Sequence, residues 1–320
     1  MVAWMHAIVL QAFLPPAFHQ YVPRLVDVLT AGVDIFFVLS GFIISHSASR
    51  YSGRRQSLNF LRKRFFRINP VYYVALILFL AVRWHWMVKT GHTPGTVSIF
   101  QSIILLPVVS QTTLPIMPVA WTLCFEWVFY LLFAISIAFR SVNRPWLLPA
   151  LGAIFYIINP IMLEFLLGML IYRWWSWRPP STALAAGLAM TGILLLVSQC
   201  CWGNIIVGDP STLTIGIHSL ERGLFRGIPA AFLLSGCVFL ENKNALPSLW
   251  NNKTIEGLGD ASYSIYLTHY SVYMVCAGIM VRLGPVIDPD LSVVIWLLLA
   301  ILTGILFYRT MESSLLRAFR

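Results

Sequence analysis

Charge is what this chain has least of: only 11% of its 320 residues are Asp, Glu, Lys or Arg, against roughly 25% in soluble domains. That scarcity excludes an ordinary soluble fold. Acidic residues are the scarcer sign, 12 against 22 basic, for a net charge of +10. In a soluble protein such an excess suggests nucleic acid, but here the basic residues are spread along loops between apolar runs, so nucleic acid is not an expected partner. The five cysteines, Cys124, Cys200, Cys201, Cys237 and Cys276, lie in or beside apolar segments without metal-ligand spacing, which argues against a zinc site and a disulfide framework; no metal is expected. The N-terminal apolar stretch has neither a basic start nor a small-residue cleavage site, so no cleavable signal peptide is read. No internal repeat is visible, inverted or parallel, which weakens a transporter built from repeated halves. No soluble domain is read at either end.

What is abundant is apolar: 58% of the residues are hydrophobic. A helical crossing takes ~20 apolar residues, and candidates run near 1–14, 32–48, 68–87, 119–139, 146–158, 160–172, 182–200, 224–240, 262–281 and 291–309. The expected fold is therefore an all-α polytopic membrane protein of about ten transmembrane helices in one bundle. The fifth and sixth segments are short and read as a bent hairpin at Asn159-Pro160. Residues 97–118 are apolar but broken by Pro107, Pro115 and Pro118, the pattern of a re-entrant or surface segment.

The positive-inside bias tests this choice. With a cytoplasmic N-terminus, sixteen basic residues fall inside: seven in 50–67, then Arg140, Arg144, Arg173, Arg178, Lys243, Lys253, Arg309, Arg317 and Arg320. Six fall outside: Arg24, Arg83, Lys89, Arg222, Arg226 and Arg282. Counting 97–118 as a further span would spoil the agreement. Both termini are expected in the cytoplasm.

Ionisable residues inside spans are costly and are functional hypotheses by default. His6, Asp34, Glu126, Glu164 and His269 are such residues, and each also has the plainer reading of a polar group satisfied by a neighbouring helix. A carboxylate beside an imidazole in a low-dielectric bundle makes a general base with an orienting partner. Depth favours His6 with Glu126: Glu126 lies about 10 Å below the outer end of its helix at 1.5 Å per residue, and His6 lies at a similar depth. Asp34 lies nearer the outer surface, where it is expected to cap its helix. Tyr263, Tyr266, Tyr270 and Tyr273 form a stripe at helical spacing, which reads as packing or an interfacial aromatic anchor.

The segment NFLRKRFFRINPVYY, 59–73, runs a basic cluster into a long apolar stretch. Arg64 and Arg67 fall on one side of a helix, and guanidinium forks bind phosphate bidentately while staying charged. Arg62 and Lys63 lie beside them. The competing reading is a topogenic signal.

Five segments together resemble the membrane-bound acyltransferase 3 family: GVDIFFVLSGFII (32–44), FLRKRFFRINPVYY (60–73), WTLCFEWVFYLLF (121–133), EFLLGMLI (164–171) and LGDASYSIYLTH (258–269) occur in the family's order. The resemblance covers most of the chain and is poorest in 74–118 and 174–257. By position, Arg64 and Arg67 match the family's Arg-x-x-Arg pair, and His6 resembles its first-span histidine. Glu126 matches the glutamate of the Trp-Thr-Leu motif that Trp121 opens, and His269 matches the histidine closing the late motif that contains Tyr266. The Arg that the family carries ten intervening residues before its first-span histidine would lie upstream of Met1, so either the start is set too late or this form lacks part of its active site. The compact length resembles stand-alone members encoded for exopolysaccharide modification.

The resemblance implies one integral-membrane acyltransferase domain, 1–320, in a bacterial inner membrane. It implies transfer of an acyl group, acetyl by default, from cytoplasmic acyl-CoA to a hydroxyl of a cell-surface or lipid-linked carbohydrate. Arg64 and Arg67, helped by Arg62 or Lys63, would bind the CoA phosphates. His6 would take the hydroxyl proton with Glu126 holding the imidazole, while His269 would be an alternative base or a contact for the thioester. The expected partners are the bilayer and the carbohydrate acceptor, with a homo-oligomer left open. Two other readings stay open: a proton-coupled carrier using His6, Glu126 and His269 as a relay, and a non-catalytic membrane protein.

Overall fold

A computed structural model of the chain describes residues 1–12, 14–15, 25–90, 93–106, 115–140, 144, 146–202, 217–243, 245, 252–284 and 287–318. Among them every regular element is helical: α1 (Val2–Ala12), α2 (Leu25–Ala48), α3 (Arg54–Thr90), α4 (Thr96–Ile104), α5 (Trp121–Ala138), α6 (Leu147–Ile158), α7 (Leu163–Trp177), α8 (Thr182–Trp202), α9 (Ile217–Arg222), α10 (Ile228–Asn242), α11 (Lys253–Asp260), α12 (Ser262–Leu283), α13 (Pro289–Phe307) and α14 (Ser313–Ala318). Seven stretches are long and apolar enough to cross a bilayer: Val28–Ala48, Arg54–Trp84, Pro118–Ala138, Thr182–Gln199, Leu220–Asn242, Ser262–Leu283 and Pro289–Ala318. The other three expected spans form the shorter helices α1, α6 and α7. The chain is a polytopic helical membrane protein.

The breaks in the helices have local causes. Between α6 and α7 the Asn159 side chain accepts from Ile161 N, and Pro160–Met162 form a 3₁₀ turn, which makes the expected bend. In the proline-broken segment, α4 has nine residues and is too short to cross at 1.5 Å per residue. Ser102 Oγ accepts from Ile116 N at 2.7 Å, joining its two flanks; residues 107–114, the middle of that segment, lie outside the described residues. α3 is one helix of 37 residues with Pro70 inside it, so the basic cluster is helical throughout. A proline is tolerated inside a membrane helix, and on the same turn Tyr263 donates to Ile68 O at 3.0 Å, tying α12 to α3.

Two π-helical turns keep neighbouring helices continuous: Gly223–Gly227 joins α9 to α10 and Tyr308–Glu312 joins α13 to α14. Each holds one buried ionisable side chain, Arg226 and Glu312. The extra residue of a π turn re-aims side chains, and such turns are frequent at functional sites.

Helix packing relies on small residues, since apolar lipid gives helices little hydrophobic reason to associate. α2 and α7 meet at Gly41 and Gly168. A Cβ on Gly168 would stand 2.0 Å from Val38 O, and one on Gly41 would stand 2.1 Å from Phe165 O. Around that crossing lies an aromatic core of Phe37, Phe129, Phe133, Phe155 and Phe165, all fully buried, with Phe129 stacked on Phe165 at 4.4 Å. Because the clashing atoms are backbone, Gly168→Val must push the helices apart. It should destabilise the bundle by about 3 kcal/mol or more, the upper end for overpacking, read as a lower thermal unfolding midpoint in detergent; an unchanged midpoint would show that α2 and α7 do not pack this closely.

Candidate active site

Helix α12 carries a hydroxyl or an imidazole on nearly every turn of SYSIYLTHYSVY. Inside a bilayer these groups must be satisfied by other helices. Tyr266 donates to Val119 O at 2.6 Å and shares a hydrogen bond of 2.7 Å with Thr122 Oγ1, while Tyr273 donates to Ala3 O at 2.9 Å. With Tyr263 on α3, the stripe ties α12 to α3, to the turn entering α5, and to α1.

The imidazoles of His6 and His269 are stacked at 5.1 Å between centroids, with His6 Nδ1 3.0 Å from His269 Nε2. His269 Nδ1 lies 3.1 Å from Ile265 O, one turn earlier in its own helix. A carbonyl only accepts, so Nδ1 of His269 carries the proton and, in the neutral ring, Nε2 offers the lone pair. His6 Nδ1 then donates to it, and the lone pair of His6 falls on Nε2, to which nothing is bonded among the described residues. His269 is fully buried whereas His6 is half-buried. Of the two residues, His6 is the less buried.

Glu126 stands elsewhere. Its carboxylate accepts from the Tyr130 hydroxyl and from Ser40 Oγ at 3.5 Å, and the charges of Arg64 and Arg67 act on it without a direct ion pair. Arg64 donates to Ser47 Oγ at 2.9 Å and lies over Phe60 and Tyr130 at 5.5 and 5.6 Å. Arg67, exposed on the same face, acts on Glu312, which accepts from Ser264 on α12. Arg62 and Lys63 are exposed; Lys63 donates to the Tyr51 hydroxyl at 3.0 Å, and Arg62 lies over Phe66 at 5.9 Å. Trp121 packs edge-on to Phe37 at 6.1 Å.

The expected pairing of His6 with Glu126 is therefore replaced by His6 with His269. Depth alone does not choose a partner: α1 packs against α2, α12 and α13, which brings His6 to His269, whereas α5 packs chiefly on α3 and also touches α2, where Ser40 reaches Glu126. Asp34 also departs from expectation. α2 begins at Leu25, nine residues before it, so Asp34 caps nothing. It is fully buried and accepts two bonds of 2.9 Å from Arg222 Nε and Nη2. Glu164, also buried, lies against Gly227, and its neighbours include Asp34, Arg222 and Arg226. The residues missed from the sequence are Ser40, Tyr130, Arg222 and Arg226. The only signal for the arginines was their nearness to the 224–240 run, which reads as loop charge. Among the described residues no group of three His, Cys, Asp or Glu side chains converges as a metal site.

Compared with known proteins, the chain matches the profile described as "Acyltransferase domain" over residues 1–309. It is similar to "Exopolysaccharide production protein ExoZ" of Rhizobium meliloti (strain 1021), 32% identical over 324 residues that cover 90% of this chain and 89% of that protein. It is also similar to "Acyltransferase MdmB" of Streptomyces mycarofaciens, 24% identical over 270 residues that cover 75% of this chain and 67% of that protein. No solved structure matches.

The buried ion pair gives a stability prediction. Arg222→Met strands Asp34 beside Glu164, and breaking a buried pair from one side costs about 3–5 kcal/mol. The double variant Asp34→Leu, Arg222→Met should recover most of the loss in thermal unfolding; a double variant as unstable as the single would contradict the pairing.

Proposed function

The chain belongs to the acyltransferase family whose profile it matches, and from that premise we propose that residues 1–320 act as one integral-membrane domain transferring an acyl group, acetyl by default, from cytoplasmic acyl-CoA to a hydroxyl of a cell-surface or lipid-linked carbohydrate. The carbohydrate acceptor is supported by the similarity to a protein named for exopolysaccharide production. A bacterial inner membrane with both termini in the cytoplasm fits the sorting of basic residues.

The observation that carries the reading is the histidine pair, whose hydrogen bonds leave a lone pair on His6 Nε2. His6 takes the proton of the attacking sugar hydroxyl. His269, fixed through Ile265 O, holds the His6 tautomer and shares the positive charge that develops, a role analogous to that of the orienting carboxylate in hydrolytic triads. The donor's phosphates bind at Arg64 and Arg67, whose fork geometry suits them. Glu126 and Glu312 set the electrostatics of that face from inside the bundle. From Ser264, linked to the arginine face through Glu312, to His269 is five residues of α12, about 8 Å at 1.5 Å per residue. The pantetheine arm bridges this interval and brings the thioester to His6.

Purified protein in liposomes with labelled acetyl-CoA tests this. Wild type should release CoA and label a saccharide acceptor. His6→Ala should lower turnover about 10²–10⁴-fold, the usual contribution of a general base, with donor binding retained. Arg64→Lys with Arg67→Lys keeps the charge but loses the forks, and should weaken acyl-CoA binding about tenfold or more. Unchanged donor binding in that variant would return the cluster to a topogenic role; no CoA release by folded wild type would remove the acyl-CoA reading.

A further inference from the structure

The four tyrosines of the α12 stripe are not equivalent. The hydroxyls of Tyr263, Tyr266 and Tyr273 each donate to a backbone carbonyl, at Ile68, Val119 and Ala3. Tyr270 has no hydrogen-bond partner among the described residues. Yet its ring meets His6 edge-on at 5.9 Å and Phe79 at 6.0 Å. The one untied hydroxyl of the stripe belongs to the tyrosine that touches the His6 imidazole. Like His6, Tyr270 is half-buried.

A positive charge adjoins it. Arg83 on α3 acts electrostatically on Tyr270; its guanidinium lies over Phe79 at 5.9 Å, and Nη1 donates to Ile116 O at 3.5 Å. Arg83 follows Arg67 by sixteen residues, about 24 Å along one helix, so it lies far from the face assigned to the donor phosphates. The flank of His6 that holds Tyr270 and Arg83 is the one left for the acceptor.

We propose that Tyr270 and Arg83 form the acceptor subsite, the Tyr270 hydroxyl hydrogen-bonding the saccharide beside His6 Nε2 and Arg83 favouring a sugar that carries a carboxylate. The inference rests on the acyltransferase reading. In the step it serves, the sugar oxygen attacks the thioester carbonyl and its proton passes to His6 Nε2. The C–O bond forms, the C–S bond breaks with its electron pair on sulfur, and the CoA thiolate takes the proton from His6.

The test uses the whole chain in liposomes, labelled acetyl-CoA, and two oligosaccharides of equal length, one with a uronic acid and one neutral. Wild type should favour the acidic acceptor in kcat/KM. Tyr270→Phe, which removes a hydroxyl bonded to no described residue, should lower kcat/KM for both acceptors about tenfold, with donor KM and thermal stability unchanged. Tyr273→Phe, losing its bond to Ala3, should show its effect in stability. Arg83→Gln should abolish the preference for the acidic acceptor, and Arg83→Lys should keep part of it. Wild-type values for Tyr270→Phe together with an unchanged acceptor ratio in Arg83→Gln overturn the subsite alone. Absence of CoA release by folded wild type overturns the acyltransferase reading and the subsite with it.

Discussion

A main-chain carbonyl accepts hydrogen bonds and never donates one, and at Ile265 that asymmetry sets the protonation pattern of the histidine pair. Everything proposed for the site descends from it, because a proton on His269 Nδ1 leaves a lone pair on His6 Nε2. The same economy governs the rest of α12. In a medium without water a hydroxyl that finds no partner costs several kcal/mol, so the tyrosines reach across to the backbone of α3, α1 and the turn before α5. The helix that carries His269 is thereby held in register with the helix that carries His6. Orientation to better than a turn of the helix is what proton transfer requires.

Charge is distributed by the same rule. Where ionisable groups enter the bundle they come in sets: Arg64 and Arg67 facing Glu126, Arg67 facing Glu312, and Asp34 bound to Arg222 with Glu164 and Arg226 beside it. The two π-helical turns contribute a member to two of these sets. A chain with so few acidic residues thus places four of them, Asp34, Glu126, Glu164 and Glu312, in its buried interior. The polarity is asymmetric along α3, with Arg64 and Arg67 towards one end and Arg83 towards the other.

Much of the architecture was legible in the sequence. The ten apolar runs are helical in their described residues, because an apolar segment has no better way to satisfy its backbone in lipid, although only seven are long enough to cross on their own. The break at Asn159-Pro160 follows from a proline with an asparagine able to cap the turn. What periodicity and depth do not convey is which helices are neighbours. The sequence puts His6 and Glu126 at a similar depth, but the structure bonds His6 to His269 and Glu126 to Tyr130 and Ser40. Arg222 was sorted among loop charges because its helix begins in a mixed sequence and passes into the apolar run through a π turn, which hydropathy does not mark. Asp34 was placed at a helix end for the converse reason: the apolar run starts late, while the helix starts at Leu25.

The most direct test is the tautomeric state of the two rings, read from ¹⁵N chemical shifts of histidine-labelled protein in nanodiscs, with His6→Gln and His269→Gln spectra giving the assignments. The account predicts a protonated Nδ1 and a bare Nε2 on both rings at neutral pH, the His269 Nε2 signal shifted by the bond it accepts and the His6 Nε2 signal not. A His6 ring with its proton on Nε2 and a bare Nδ1 would contradict it, since the lone pair of His6 would then face His269 rather than an acceptor hydroxyl.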